Sequence, residues 1–287
     1  MKTPKKKYER RKEYYNKILV KQNKSLNVIS NLRLTVALVG LVNISFLYIT
    51  KNYTLGLPIA LVYVSIFTYL VVKHTQLKSR RSYTQSLFTI NDKGLRRING
   101  DWKGFEDTGE EFRDEEHSFS HDLDVFGKGS LFQWINTTKT FMGRKKLVQI
   151  LTNPCEGRDE IYKRQEAVGE LANKLWWRNR FMAEGMVLSD EIHNPEHLYG
   201  WAKDKKEDYL KSGVILGVRL LPVISIILVI LYLTNRIPYK LPLIFLGIQT
   251  LILKFRSKER HRVLNIVYKH KDNIKAYRRM LEQLEKR

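Results

Sequence analysis

Cysteine is nearly absent from this sequence. Its single copy, Cys155, cannot close an intrachain disulfide, so a disulfide-stapled secreted domain is excluded. Glycine and proline are sparse, 16 and 7 of 287 residues, which excludes collagen-like and low-complexity organisation. Acidic residues are the scarcer charge. Asp and Glu number 29 against 51 Lys and Arg, a formal charge of +22. Such an excess implies an anionic partner, either nucleic acid or the cytoplasmic lipid face.

Charge is absent altogether from two early runs. Leu34–Thr50 (LTVALVGLVNISFLYIT) and Leu55–Val72 (LGLPIALVYVSIFTYLVV) are separated only by Lys51–Thr54. A helix needs roughly 17–25 residues to cross the hydrocarbon layer. The β-branched content would also suit buried strands, but two such runs around so short a break fit a helical hairpin better. A cleaved signal peptide fits poorly, because the basic region before the first run exceeds thirty residues. A second pair follows near the C-terminus: Leu220–Asn235 and the shorter Leu241–Leu253, linked by Arg236–Lys240. The first of these extends back to Ser212 if Arg219 is included. Four spanning helices are expected, the fourth short enough to thin the bilayer or dip in and return.

Basic residues cluster before, between and after the pairs. Met1–Arg33 holds eleven Lys and Arg against Glu9 and Glu13. Lys73, Lys78, Arg80 and Arg81 follow the second run; Lys254, Arg256, Lys258, Arg260 and Arg262 follow the fourth. The positive-inside bias then keeps both termini and the middle in the cytoplasm, as in a multi-pass protein of the inner membrane. Arg219 reads as a snorkelling side chain at a helix end. With no Asp, Glu or His inside the apolar runs, a transporter or channel is disfavoured. The predicted fold class is all-α, with two transmembrane helical hairpins flanking and following a cytoplasmic domain. The segments are Met1–Arg33 (basic), Leu34–Val72 (hairpin), Lys73–Lys211 (cytoplasmic domain), Ser212–Leu253 (hairpin) and Lys254–Arg287 (basic helix).

Asp101–Asp124 concentrates ten carboxylates with only Lys103 and Arg113 opposite. Without glycine-organised spacing such a crowd reads as a solvated surface or a docking face for basic segments of the same chain, and no metal site is expected. His117 with His121, and His193 with His197, are four apart but lack further ligands in zinc-site spacing. Downstream, Ser130 is placed to cap a helix carrying Leu131, Phe132 and Ile135. Thr138–Gly143 breaks it, Arg144–Leu151 forms a second helix, and Asn153-Pro154 ends that. Asp159 starts a long helix with Ile161, Gln165, Val168, Leu171 and Leu175 along one stripe.

This stretch resembles the core, or lever, region of the DNA mismatch repair MutS family. The matching residues are Ser130, Leu131 and Phe132, then Asn136, Thr138, Thr140, Gly143, Arg144, Leu147 and Pro154, then Ile161, Arg164, Gln165, Val168 and Leu171. The lead-in Asp122-Leu123-Asp124-Val125-Phe126-Gly127 is similar to a bacterial membrane-bound branch of MutS-like proteins. The resemblance implies a helical scaffold that, in complete members, joins DNA-embracing helices to a C-terminal ATPase and forms a homodimer. These residues are therefore expected to be structural.

The sequence departs from that family twice. No G-x-x-x-x-G-K-[ST] loop occurs; Gly127-Lys128-Gly129-Ser130 lacks the first glycine and places glycine after lysine. No F-x-E wedge occurs either, since Phe105-Glu106 lacks the middle residue and Phe112-Arg113-Asp114 has the wrong acid. The chain is thus expected to be no enzyme on its own, with no catalytic, cofactor or metal residues. ATP and Mg²⁺ are implied only for an ATPase half that this sequence lacks. The C-terminal Lys254–Arg287 carries twelve Lys and Arg against four acids. Val263, Val267, His270, Ile274, Tyr277, Leu281 and Leu284 alternate steps of four and three, a heptad seam that suits either packing on its own domain or a coiled-coil arm. The expected function is a membrane-anchored MutS-like scaffold with DNA and the membrane as partners. The alternative is a membrane interaction protein holding anionic lipid, or a partner, by its basic ends and C-terminal helix.

Overall fold

The computed structural model describes residues 3–50, 53–155, 157–186, 194, 196–203, 212–233, 236–238, 240–255 and 257–285. Among them every regular element is helical and no strand occurs. The chain divides into two compact units, Met1–Ile192 with Lys275–Arg287, and His193–Ile274.

In the first unit α1 (Pro4–Ile49) and α2 (Tyr53–Asn99) are unbroken helices of 46 and 47 residues. At 1.5 Å per residue each is roughly 70 Å long, more than twice the thickness of a hydrocarbon layer. Pro4 opens α1, where a missing N–H is harmless, and no later proline interrupts that helix. Both helices run without a break through the compositional boundaries at 33/34 and 72/73. The two helices lie side by side and antiparallel. Lys12 meets Asp92 at 2.6 Å, Arg81 Nε donates to Asn23 Oδ1 at 2.6 Å, and Asn43 Nδ2 donates to the Tyr63 hydroxyl at 3.0 Å. The last of these ties lies within the uncharged runs of the two helices.

The apolar window of each helix is long and apolar enough to cross a membrane and is only 6% buried. That low value separates these windows from the core helices of a soluble protein, which hide such a surface. Beyond the windows the same helices grip the rest of the unit. Leu87 and Ile90 of α2 meet Ala183 of α6 (Leu175–Met186), with Tyr15, Tyr83, Met182 and Met186 around them. At this contact Asn179 Nδ2 donates to Asn91 Oδ1 at 3.0 Å, and Asn91 Nδ2 donates to Leu87 O at 2.7 Å. Both asparagines are fully buried, so the polar pair fixes the register of one helix on the other.

Four shorter helices follow: α3 (Leu131–Ile135), α4 (Phe141–Thr152), α5 (Arg158–Ala172) and α6 (Leu175–Met186). Two expectations are corrected here. The second helix starts at Phe141 rather than Arg144, because Thr140 Oγ1 accepts the Gly143 N–H and caps it. The long helix from 159 ends at Ala172, where the Lys174 N–H turns back to Leu171 O, so Leu175 belongs to α6. Nor does its stripe enter a core. Ile161 and Val168 are exposed and α5 buries no residue.

The second unit holds α7 (Glu196–Lys203), α8 (Ser212–Leu233), α9 (Lys240–Phe255) and most of α10 (Ser257–Glu285). The Ser225 hydroxyl donates to Gln249 Oε1 at 2.9 Å, joining α8 to α9. Helix α8 reaches back to Ser212 and includes Arg219, whose side chain lies outside the described ones. Of the four expected spans, α1 and α2 have the length and hydropathy of a span among the described residues; α8 offers the shorter stretch Leu220–Val229. Helix α9, at 16 residues, is roughly 24 Å long.

The end of α10 belongs to the first unit, the packing arrangement that its heptad seam allowed beside a coiled-coil arm, but the packed face is offset from the seam. Ala276 is buried, the Tyr277 hydroxyl accepts the Met142 N–H at 3.3 Å, and Gln283 O accepts Trp177 Nε1–H at 3.3 Å. Ile274, Leu281 and Leu284 are exposed. The packed face runs through Ala276 because a small residue lets the helix approach closely. Side chains of Val263, Val267 and His270 lie outside the described ones.

Candidate functional site

Most of the motif residues converge on a small aromatic module at residues 101–152. Its centre is Val125, Phe126 and Phe132, with Phe112, Leu147, Val148 and Leu151 packed against them. Phe112, Phe126 and Phe132 form a triangle, their ring centres 5.7–6.0 Å apart. Such tilted aromatic pairs each add about 0.5–1.5 kcal/mol beyond their buried area.

Phe132 is placed by its neighbours in sequence. Ser130 Oγ accepts the Gln133 N–H at 3.1 Å and caps α3. The Leu131 and Phe132 amides donate to Asp124 O and Val125 O, docking α3 onto the lead-in segment. Asp124 and Gly127 turn that segment with positive φ, +47° and +103°. At Gly127 a Cβ would lie 2.9 Å from a Glu110 carboxylate oxygen. Three amides of the glycine turn are used inside the module: Gly127 N–H donates to Thr108 O, Gly129 N–H to Gln133 Oε1 at 2.7 Å, and Ser130 N–H to Gly127 O.

Gln133 carries no motif match, and sequence reasoning missed it. It is 1% exposed, and Nε2 donates to Lys103 O at 3.1 Å and Phe105 O at 2.6 Å. This one amide therefore joins α3, the glycine turn and the 3-10 turn Asp101–Gly104. Its only sequence signal is a polar residue on the apolar face of a predicted helix.

The central motif builds the turn from α3 to α4. Asn136 Oδ1 accepts from Thr138 N–H and Oγ1–H, while Asn136 Nδ2 donates to Asp107 Oδ2 at 2.7 Å. Arg97, from α2, donates to Trp134 O and Asn136 O at 2.7 and 2.8 Å; its burial lowers the guanidinium's affinity for its proton. Arg144 is the hub. Its guanidinium donates to Asp107 at 2.6 Å and to Glu111, and it lies 4.6 Å from the Phe112 ring centre. Burial opposes its charge, but the hydrogen bonds to Asp107 and Glu111 outweigh it and raise its pKa. Arg144 in turn holds the Glu111 carboxyl below the ordinary carboxylate range, against partial burial. Two members of the acidic crowd thus serve a basic residue of the same chain.

The other motif residues lie elsewhere. Ile161, Arg164, Gln165 and Val168 sit on exposed α5 and share an open groove with Ile150, Pro154 and Cys155. Asp122 and Leu123 are exposed, and Leu171 faces a separate cavity. His117 Nδ1 accepts the Ser120 N–H, and His121 Nδ1 accepts Arg113 Nε–H at 3.4 Å. Among the described residues no three His, Cys, Asp or Glu side chains gather as metal ligands. His193 and Pro195 lie outside the described residues.

These interactions define an all-helical scaffold module in which the motif side chains position one another. Residues 113–194 match the family model of MutS domain III, less than a third of the chain. No curated protein and no solved structure matches the chain. The matched region contains the glycine turn, α3 to α6 and the Arg144 hub, while the acidic partners Asp107 and Glu111 precede it.

Proposed function

We propose that this chain is a membrane-anchored MutS-like scaffold, the N-terminal part of an ATP-dependent DNA-binding protein of mismatch-repair type. The observation that carries the proposal is the MutS domain III match at 113–194, fused through continuous helices to the outward-facing apolar windows of α1 and α2. The α1–α2 and α8–α9 pairs insert from the cytoplasmic side of the inner membrane, with the scaffold between them in the cytoplasm. ATP and Mg²⁺ belong to an ATPase part beyond these 287 residues, and the complete protein works as a homodimer. The role of the present chain is to hold DNA-contacting elements at the membrane surface.

Two measurements test this. Duplex binding by the full chain in neutral nanodiscs is expected at 50 mM salt and to weaken steeply by 200 mM, because displaced counterions set the affinity. Absence of binding at low salt overturns the DNA role. Topology is read through Cys155. A membrane-impermeant maleimide added to spheroplasts is expected to leave Cys155 unlabelled until the membrane is opened, whereas Thr50→Cys in a Cys155→Ser background is labelled from outside. The reverse pattern, or release of the protein by alkaline carbonate, removes the membrane reading.

A further inference from the structure

The outer face of α1 carries a row of cations. Lys6, Arg10, Lys17, Lys21 and Lys24 follow one another at steps of four, seven, four and three, which keeps them on one side of the helix. All five are exposed. The opposite side is the packed one: Tyr8 lies against Gly94, Lys12 pairs with Asp92, Leu19 is buried and Asn23 accepts from Arg81. Glu13, the acid within the row, is held by Lys17 at 2.6 Å. Lys6, Arg10, Lys21 and Lys24 make no ion pair among the described residues.

The row strains its own helix. Lys6 with Arg10, Lys17 with Lys21 and Lys21 with Lys24 are like charges three or four positions apart, and each such pair disfavours the helix. A polyanion laid along the row would replace that repulsion with attraction.

Two polyanions are at hand, the lipid surface and a nucleic acid. Height decides between them. With the apolar run of α1 in the membrane, Leu34 marks the edge of the hydrocarbon. Along an unbroken helix Lys24 stands roughly 15 Å above that edge, Arg10 roughly 36 Å and Lys6 roughly 42 Å. At a tilt of about 40°, the upper end of the usual range, Arg10 and Lys6 still stand about 28 and 32 Å away. The field of an anionic leaflet fades over a Debye length, about 8 Å at physiological salt. It meets the base of the row at most and leaves the far end without a partner. A duplex is stiff enough to follow the whole row, roughly 27 Å from Lys6 to Lys24. Its major groove is about 12 Å wide, close to the interval of about 10 Å between Arg10 and Lys17.

We propose, resting on the membrane-anchored, DNA-binding reading above, that this outward face of α1 is a duplex-binding track. Lys6 and Arg10 meet one phosphate rim of a groove, and Lys17, Lys21 and Lys24 meet the other. The track lies outside the segment that matches MutS domain III.

The test is the anisotropy of a short fluorescent DNA duplex, with the full chain in neutral phosphatidylcholine nanodiscs, as salt is raised from about 50 to 200 mM. The variant K6Q/R10Q/K21Q/K24Q is expected to lower the slope of log affinity against log salt by about 3.6, that is, about 0.9 for each lost phosphate contact. It removes repulsion within α1, so lost binding is not lost folding. The control K128Q/K145Q/R158Q/K163Q takes the same charge from exposed cations elsewhere in the first unit and is expected to change the slope by less than about one. A fall of less than about two in the row variant, or an equal fall in the control, overturns the track while wild-type binding keeps the DNA reading. Wild type that binds no duplex at low salt overturns both. Lipid capture has its own readout. A dansyl label on K6C, in a C155S background, is expected to shift to the blue when duplex is added and to stay unchanged when phosphatidylserine replaces part of the phosphatidylcholine. A blue shift with phosphatidylserine alone, or none with duplex, overturns the proposal.

Discussion

Replacing Arg144 by methionine keeps an apolar chain over Phe112 and removes the charge that gathers Asp107 and Glu111. The Arg144 side chain is 16% exposed, against 42% for Asp107 and 57% for Glu111. Water therefore screens the acid ends, and the full value of buried charged hydrogen bonds does not apply. Exposed ion pairs are worth about 0–1 kcal/mol and well-made charged hydrogen bonds about 1.5–3. The Arg144 cluster, one buried fork on two half-exposed acids, falls between them at about 2 kcal/mol. Losing the guanidinium from the Phe112 face adds about 0.5–1 kcal/mol. The assay is native-state amide exchange across α3 and α4 at pH 7. A loss of about 2.5–3 kcal/mol there corresponds to roughly 70- to 160-fold faster exchange. R144K, which keeps the charge but not the planar fork, should fall between. The pH dependence has a definite sign. Glu111 has a lowered pKa in the folded state, so its contribution is complete above the ordinary value of 4.5 and is lost as pH falls through the folded pKa. Wild-type protection should decline on acidification below about pH 4.5, and R144M should decline less. Exchange in R144M within threefold of wild type, or with the same acid dependence, would refute the hub assignment.

Gln133→Leu should cost about 3 kcal/mol by denaturant titration, because it leaves the Lys103 and Phe105 carbonyls and the Gly129 amide without their partner. Gly109→Ala should be damaging, since Gly109 has φ +70° and a Cβ there would sit 2.6 Å from Phe132. The comparison substitution Gly129→Ala, at φ +81° but facing open space, should lower the thermal midpoint less. Ser130→Ala and Thr140→Ala each remove a helix cap and should cost about 1 kcal/mol, additively, in denaturant midpoints.

What could be read in advance was local. Ser130 and Thr140 precede their helices with the right side chain, Asn153-Pro154 stops α4, and the uncharged runs mark the apolar windows. What could not be read depended on distant partners. Asp107 and Glu111 were two carboxylates among ten until Arg144, more than thirty positions away, selected them. Asn91 and Asn179 are 88 residues apart and each alone is an ordinary polar residue on a helix. The stripe on α5 shows the opposite failure. Its apolar spacing is genuine, yet periodicity states only that a helix has an apolar face, not that this chain covers it. On α10 the heptad positions stood out by their size, but the small Ala276 governs the close contact.

The length of α1 and α2 carries a mechanical consequence. No joint separates the apolar half of α2 from the end that clasps α6 through Asn91, and α1 runs unbroken beside it. Subtracting a ~30 Å apolar segment from a ~70 Å rod leaves an arm of about 40 Å. A 10° change in tilt at one end then displaces the other by about 7 Å, a distance larger than one helical turn. The stiffness of these rods makes the position of α6 follow the orientation of their apolar ends.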